Sequence, residues 1–208
     1  MKIITVNREF GSGGRELGKR LADYLGIAYY DKEIISAIAE KSAMDAGYID
    51  RVLEQGIARQ YPIRFSRTFS LMPALGTTTQ VSALLVEQHR IMKELAEQGD
   101  CVMIGRGADI ALQQYHPFKL FVYAGMEAKI RRCQERVSPL AHFTTKEMEK
   151  KIQQIDKTRK ATHDIYAPLD WDDKKGYHLC INTTDVEIKA LIPAVAVYAE
   201  SWFERNIL

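Results

Sequence analysis

Residues 3–25 read IITVNREFGSGGRELGKRLADYL. The β-branched run Ile3-Ile4-Thr5-Val6 predicts a strand. A glycine cluster follows at Gly11, Gly13 and Gly14, and then Leu17, Leu21 and Leu25 recur every four residues with Lys19, Arg20 and Asp23 between them. That spacing predicts an amphipathic helix, closed by Gly26 just past its end. Strand, glycine-rich turn and helix in this order form a phosphate cradle. The glycines let the backbone wrap closely, its N–H groups point inward, and the helix N-terminus adds partial positive charge. Neither standard fingerprint fits literally. In G-x-G-x-x-G the third glycine is replaced by Glu16. In G-x-x-x-x-G-K-[ST], with Gly13 as the second glycine, Arg8 stands at the first glycine, Gly14 at the lysine and Arg15 at the hydroxyl. Arg15 is then the candidate for the missing cation, with Arg8 or Lys19 assisting; the alternative is an Arg15 spent on Glu16 or on solvent.

Outward from the loop, short apolar runs alternate with helical patterns. Strands are expected at Ile27–Tyr30, Cys101–Ile104, Leu120–Tyr123 and Leu179–Ile181. Helices are expected from Asp31, over 84–95 ending at Gly99, over Met126–Arg136, from Thr144 with Glu147 completing a capping box, and over Asp185–Phe203. Continuous apolar runs indicate strands covered on both faces, hence a parallel sheet. Residues 56–80 lose periodicity and carry Tyr61-Pro62, Met72-Pro73 and Gly76, which reads as an insertion rather than core.

The chain has 208 residues, 46% hydrophobic and 27% charged, enough for one buried core and unlike a disordered chain. Its net charge of +2 argues against a bulk polyanion binder. Residues 129–160 nevertheless hold ten basic and four acidic side chains, leaving a slightly acidic remainder. Arg51, Arg59, Arg64 and Arg67 form a cluster too small to carry nucleic-acid binding without a recognised motif, so no nucleic acid is expected as a partner. No apolar run approaches the ~20 residues of a membrane helix, and MKIITVNREF lacks an apolar leader core, so no membrane partner and a cytoplasmic setting are expected. Cys101, Cys133 and Cys180 are too scattered for a disulfide framework or a zinc site, and no metal ligands are assigned.

Several ordered motifs resemble the cytidylate-kinase-like proteins, relatives of the P-loop nucleoside-monophosphate kinases with a variant loop. They are residues 4–35, CVMIGRGAD at 101–109, LFVYAGMEAKIRR at 120–132, IQQIDKTRKATHDIY at 152–166, and the W-DD-x-x-x-Y-x-L-x-IN-T pattern at 171–183. The resemblance implies a three-layer α/β fold with a five-stranded parallel sheet of order 2-3-1-4-5 and helices on both faces. It implies one domain, with core segments 1–44, 81–130 and 176–208, an acceptor-binding insertion at about 45–80 and a helical lid at about 131–175. It implies nucleotide substrates: ATP as donor with Mg2+, and CMP or dCMP as acceptor.

Carried over residue by residue, Gly11, Ser12, Gly13, Gly14, Arg15 and Glu16 form the phosphate loop. Arg106 contacts the acceptor nucleotide unless it is a plain turn arginine, and Asp31 shapes the acceptor site unless it is only a helix cap. Arg131, Arg132, Asp156, Lys157 and Arg159 belong to the lid, with Arg15, Arg131 and Arg159 the catalytic candidates. Asp156 and Arg159, three apart, can instead form a surface ion pair. No histidine is required, since a phosphate acceptor is already anionic. Two departures stand out: Gly14 at the lysine position, and Ile104 where these kinases carry an acid that helps hold magnesium. They leave open a catalytically inactive nucleotide-binding module of the same fold. Met, Phe and Tyr side chains in 61–75 offer a surface for a homodimer.

Overall fold

The computed structural model describes residues 1–42, 46–47, 49, 74–136, 143–165 and 167–205. The arginine cluster at 51–67, the apolar side chains of 61–73, most of the expected insertion, and His142 lie outside the described residues. Five strands, β1 (Ile3–Arg8), β2 (Ala28–Tyr30), β3 (Cys101–Ile104), β4 (Phe118–Tyr123) and β5 (Leu179–Asn182), form one parallel sheet of order β2-β3-β1-β4-β5. Helices α1 (Gly14–Leu25), α2 (Lys32–Ser42), α3 (Ala74–Ala96), α4 (Ala108–Ala111), α5 (Met126–Arg136), α6 (Thr145–His163) and α7 (Ile188–Arg205) cover it. The expected strand order and three layers are observed. Among the described residues no helix is long and apolar enough to cross a membrane.

Strand alternation sorts the core into two faces. Ile4 and Val6 of β1, with Val102 and Ile104 of β3, face α1 and α7 and meet Leu17, Leu21, Ile192 and Ala199. Ile3, Cys101 and Met103 face the other way and meet Ile34 and Ile38 of α2 and Ile91 and Met92 of α3. Ile3 pairs with Cys101 and Ile4 with both Val102 and Phe118, so the central strand is hydrogen-bonded along both edges. Each fully buried Leu or Ile contributes about 1.5–3 kcal/mol by leaving water. A smaller cluster of Ile130, Cys133, Met148 and Ile152, with Phe10 against it, packs α5 and α6 under the glycine loop.

Element ends follow local chemistry. Gly26 closes α1 in the left-handed conformation (φ 67°), where a side chain is strained. Thr144 and Glu147 form the expected capping box at the start of α6. Two boundaries differ from the sequence expectation. α3 begins at Ala74, through Gly76 and the threonine run, because burial of its later face outweighs poor local propensity. α7 begins at Ile188, because Asn182 Oδ1 accepts from the Thr184 amide at 3.0 Å and holds 182–184 in a turn.

Candidate active site

β1 ends at Arg8, and the chain then turns through Glu9–Gly13 into α1. Gly11 (φ 79°) and Gly13 (φ 83°) take left-handed backbone that other residues adopt only with strain. A Cβ on Gly11 would stand 2.9 Å from Cys133 Sγ and from the Lys129 carbonyl oxygen, so the loop lies directly on α5. Ser12 is fully buried; its hydroxyl donates to the Glu9 carbonyl at 2.8 Å, and its own carbonyl accepts from Thr183 Oγ1 at 2.6 Å. Ser12 thus shapes the loop with its side chain, and its amide donates to the same Glu9 carbonyl at 3.3 Å. Gly13 caps α1 without a side-chain bond of its own; the Gly14 amide donates to Ser12 Oγ at 3.4 Å, and the next first-turn amides, of Arg15 and Glu16, are those placed for an anion.

A buried ion-pair node holds this loop to α6. Lys129, 5% exposed in its side chain, pairs with Glu9 Oε2 at 3.1 Å and with Asp156 Oδ2 at 2.8 Å. Asp156 Oδ1 also accepts the Phe10 amide at 2.6 Å, and Glu9 Oε2 accepts the Ala124 amide at 3.2 Å. Arg159, one turn on, donates to the Arg8 carbonyl at 3.1 Å and lies over the Phe10 ring at 5.6 Å. Asp156 and Arg159 therefore both reach across to the phosphate loop, beyond the simple i,i+3 pair that their spacing allows.

Two pockets open at the carboxyl ends of the strands, where ligands of open α/β sheets gather. The first, about 920 Å³ counted to its open mouth, lies over the glycine loop and is walled by Gly11, Gly13, Gly14 and five arginines: Arg8, Arg15, Arg106, Arg136 and Arg159. The second, narrower pocket lies between α3, the turn after β3 and α6, and is walled by Asn7, Gln88, His89, Ile110, His163 and Trp171 among others. Arg8, Arg106 and Arg159 line both pockets. Arg106 occupies a strained turn: Gly105, Arg106 and Gly107 are all left-handed, with φ of 61°, 59° and 71°. Gln88, 2% exposed, fixes that turn by donating Nε2 to the Arg106 carbonyl at 2.7 Å.

Arg15 is half exposed and pairs with buried Asp31, Nε to Oδ2 at 2.6 Å. Asp31 thus joins the loop helix to β2, and Glu33 bonds the Asp31 amide at 2.9 Å. Glu16 turns away from the loop pocket to Arg20 and Arg136, each at 2.9 Å. Arg132 holds the end of β5 through the Thr183 carbonyl and hydroxyl. Arg131 is exposed and, with Arg132, Arg136 and the 184–189 segment, lines a shallow groove adjoining α1. Lys157 is exposed on α6.

Sequence reasoning set histidine aside, yet His163 stands in the wall of the second pocket. Its Nε2 lies 2.9 Å from Asp109 Oδ2, both side chains being buried, and Nδ1 lies 3.5 Å from Asp164. Burial opposes a charged imidazole, but the hydrogen bonds and charges of Asp109 and Asp164 together outweigh it, and the His163 pKa rises. Burial opposes a charged Asp109 as well, but His163, the Asn7 hydrogen bond and the Lys119 charge together outweigh it, so the carboxyl pKa falls. Both ring nitrogens face carboxylates, which favours the charged imidazole. The signal was legible: Ile152, Asp156, Arg159 and His163 follow one another at helical spacing on one face of α6. Lys129, likewise, sits in the apolar stripe with Met126, Ile130 and Cys133.

Magnesium requires oxygen ligands. At the loop's hydroxyl position stands Arg15, and at the strand-end acid position stands Ile104, fully buried against Gly18. Glu9, the acid in the loop pocket, is engaged by Lys129 and Ala124. Among the described residues no group of three or more His, Cys, Asp or Glu could hold a metal ion. The donor set at this loop does not fit a metal held by protein oxygens. The positive charge lining the loop pocket is that of its five arginines.

A model of the cytidylate kinase-like family matches residues 3–185. Among solved structures, an uncharacterized protein from Eubacterium ventriosum is 22% identical, with 97% of this chain and 99% of that chain covered and a TM-score of 0.67. Shikimate kinase from Bacteroides thetaiotaomicron is 16% identical over 98% of each chain, TM-score 0.56. Shikimate kinase from Acinetobacter baumannii, in complex with shikimate, is 15% identical over 97% of this chain and 94% of that chain, TM-score 0.54. At these identities the likeness is one of fold. No curated protein matches the chain in sequence.

Proposed function

This chain belongs to the cytidylate kinase-like family, and we propose that it transfers the γ-phosphoryl group of ATP to a nucleoside monophosphate, CMP or dCMP first. The observation that carries the proposal is the shared wall: Arg8, Arg106 and Arg159 line both the pocket over the glycine loop and the pocket beside it. In-line transfer needs a donor phosphate and an acceptor phosphate brought together, with cations where they meet. The glycine loop and the N-terminus of α1 take the donor phosphates, and the groove along Arg131 and Arg132 takes the rest of the donor. Arg106 grips the acceptor phosphate, with Trp171, Ile110 and Gln88 around its base. Arg159, on the helix that closes over the loop, and Arg15, anchored by Asp31, neutralise the transferring group.

An acceptor phosphate oxygen forms a bond to the γ-phosphorus. The bond from that phosphorus to the β–γ bridging oxygen breaks, and the leaving diphosphate keeps the electron pair. No proton moves. Asp109 and His163, a titratable pair beside the second pocket, are bound to each other, and an acceptor that is already anionic needs no base from them. The domain limits carried over from the family and the cytoplasmic setting belong to the same proposal.

A second reading, a nucleotide-binding module without turnover, is favoured by Gly14 and Ile104, which remove the usual lysine and acid. The test is ADP release on incubation with ATP, magnesium and a panel of nucleoside monophosphates. Turnover with a pyrimidine monophosphate supports the kinase. ATP binding without turnover on any acceptor overturns it in favour of the module.

A further inference from the structure

We propose that Arg8 supplies the cation that a lysine supplies in standard phosphate loops, reaching the transferred phosphates from the end of β1 instead of the first turn of α1. The inference rests on the phosphoryl-transfer reading above and names a catalytic residue for it.

The lysine position is sterically closed. A Cβ on Gly14 would stand 2.5 Å from Arg8 Cβ and 3.2 Å from Val122 Cβ. Side chains at positions 8 and 14 therefore compete for one space, and in this chain position 8 holds it. Arg8 is only 6% exposed, and its guanidinium runs across to the turn after β3, where a Cβ on Gly105 would overlap it. Gly14 thus clears the stem of Arg8, and Gly105 clears its head. That path carries the guanidinium from the glycine loop toward Arg106, along the wall common to both pockets.

The other cations there are differently placed. Arg15 is half exposed and paired with Asp31 at 2.6 Å. Arg159 depends on the position of α6 and binds the Arg8 carbonyl, so it arrives with the lid helix. Arg8 alone of the three shared arginines comes from the central strand of the sheet, which makes it the fixed member. A guanidinium stays protonated at any working pH and can bond two phosphate oxygens at once. Beside the β–γ bridging oxygen it stabilises the electron pair that this oxygen gains as the bond to the γ-phosphorus breaks.

The test uses the full chain with three changes: Arg8→Met, Arg8→Lys, and Arg8→Gly combined with Gly14→Lys, since alanine would keep the Cβ that stands 2.5 Å from a Cβ at position 14. Far-ultraviolet circular dichroism and a thermal melt confirm folding. In Arg8→Met, kcat is expected to fall by about 10²-fold or more, with acceptor KM changed by less than about tenfold. Arg8→Lys, which keeps the charge without the fork and guards against misfolding, is expected to fall between the two. The double variant, with a lysine in the space that Arg8 vacates, is expected to regain at least about tenfold over Arg8→Met. A folded Arg8→Met that keeps kcat within about threefold of the parent overturns the proposal, and so does a folded double variant no faster than Arg8→Met. Failure of the underlying reading shows separately, as a parent protein without turnover on any acceptor. The readout is then ATP affinity by calorimetry, which Arg8→Met must weaken at least about tenfold; an unchanged affinity overturns the role of Arg8.

Discussion

Replacing Lys129 by methionine leaves Glu9 and Asp156 facing each other across the space the ammonium filled. Lys129 is 5% exposed, and its partners are 27% and 16% exposed, so water reaches the carboxylates only in part. Removing one member of a buried charge group costs about 3–5 kcal/mol, and partial access to water places this case near the lower end, at about 3 kcal/mol. If the whole domain bore that loss, the melting temperature would fall by about 6–12 °C for a chain of this size. The node, however, joins only the glycine loop to α6, so the loss is expected first as local opening. The reporter is the Phe10 amide, which donates to Asp156 Oδ1 at 2.6 Å. Its hydrogen-exchange protection should fall by about 10²-fold, since each 1.36 kcal/mol is a factor of ten. Asp156→Asn, alone and with Lys129→Met, completes a double-mutant cycle whose coupling should exceed about 1 kcal/mol. Unchanged Phe10 exchange in Lys129→Met, with a melting temperature within about 2 °C of the parent, refutes the idea that this node docks the lid helix on the loop.

Three further outcomes follow from the same geometry. Gly105→Ala places a Cβ in the Arg8 guanidinium at a left-handed position (φ 61°), and should lower turnover by about tenfold or more while the protein stays folded; parent-like kcat counts against a phosphate role for the Arg8 head. The raised His163 pKa makes its stabilisation complete below the ordinary value of 6.5 and lost as pH climbs through the folded value. The lowered Asp109 pKa makes its share complete above the ordinary 3.8 and lost as pH falls through its folded value. The melting temperature should therefore decline as pH rises above 6.5, and Asp109→Asn should flatten that decline; parallel curves for the two proteins would remove the pair as its cause. Thr144→Ala breaks the capping box of α6 and should cost about 0.5–2 kcal/mol, read as faster exchange in the first turn of that helix ahead of any global change. Uniform destabilisation across the chain would contradict a lid that opens on its own.

Features set by neighbours in sequence were legible there. The strand–loop–helix unit at 3–25 announces itself through β-branched residues, glycines and a four-residue leucine spacing. The Thr144–Glu147 box is a three-residue pattern, and both of its reciprocal bonds form. What stayed hidden depends on residues far apart in sequence. Gly14 looked like the simple loss of a lysine, and only the folded chain places the Arg8 stem in its space and Gly105 under the Arg8 head. Asp156 and Arg159 suggested a local pair, but the loop offers them the Phe10 amide and the Arg8 carbonyl, both about 150 positions away. His163 meets Asp109 across 54 positions, a distance over which one sequence carries no signal beyond the helical stripe that turns His163 inward.

The meeting of two phosphate sites at Arg8, Arg106 and Arg159 is tested most directly by calorimetric titration with a bisubstrate analogue, ATP and CMP joined through their phosphates. The predicted result is one analogue per chain, bound at least about tenfold more tightly than ATP or CMP alone, with that gain lost in both Arg106→Ala and Arg159→Ala. An analogue that binds no more tightly than ATP would contradict it, because the second pocket would then not receive the acceptor.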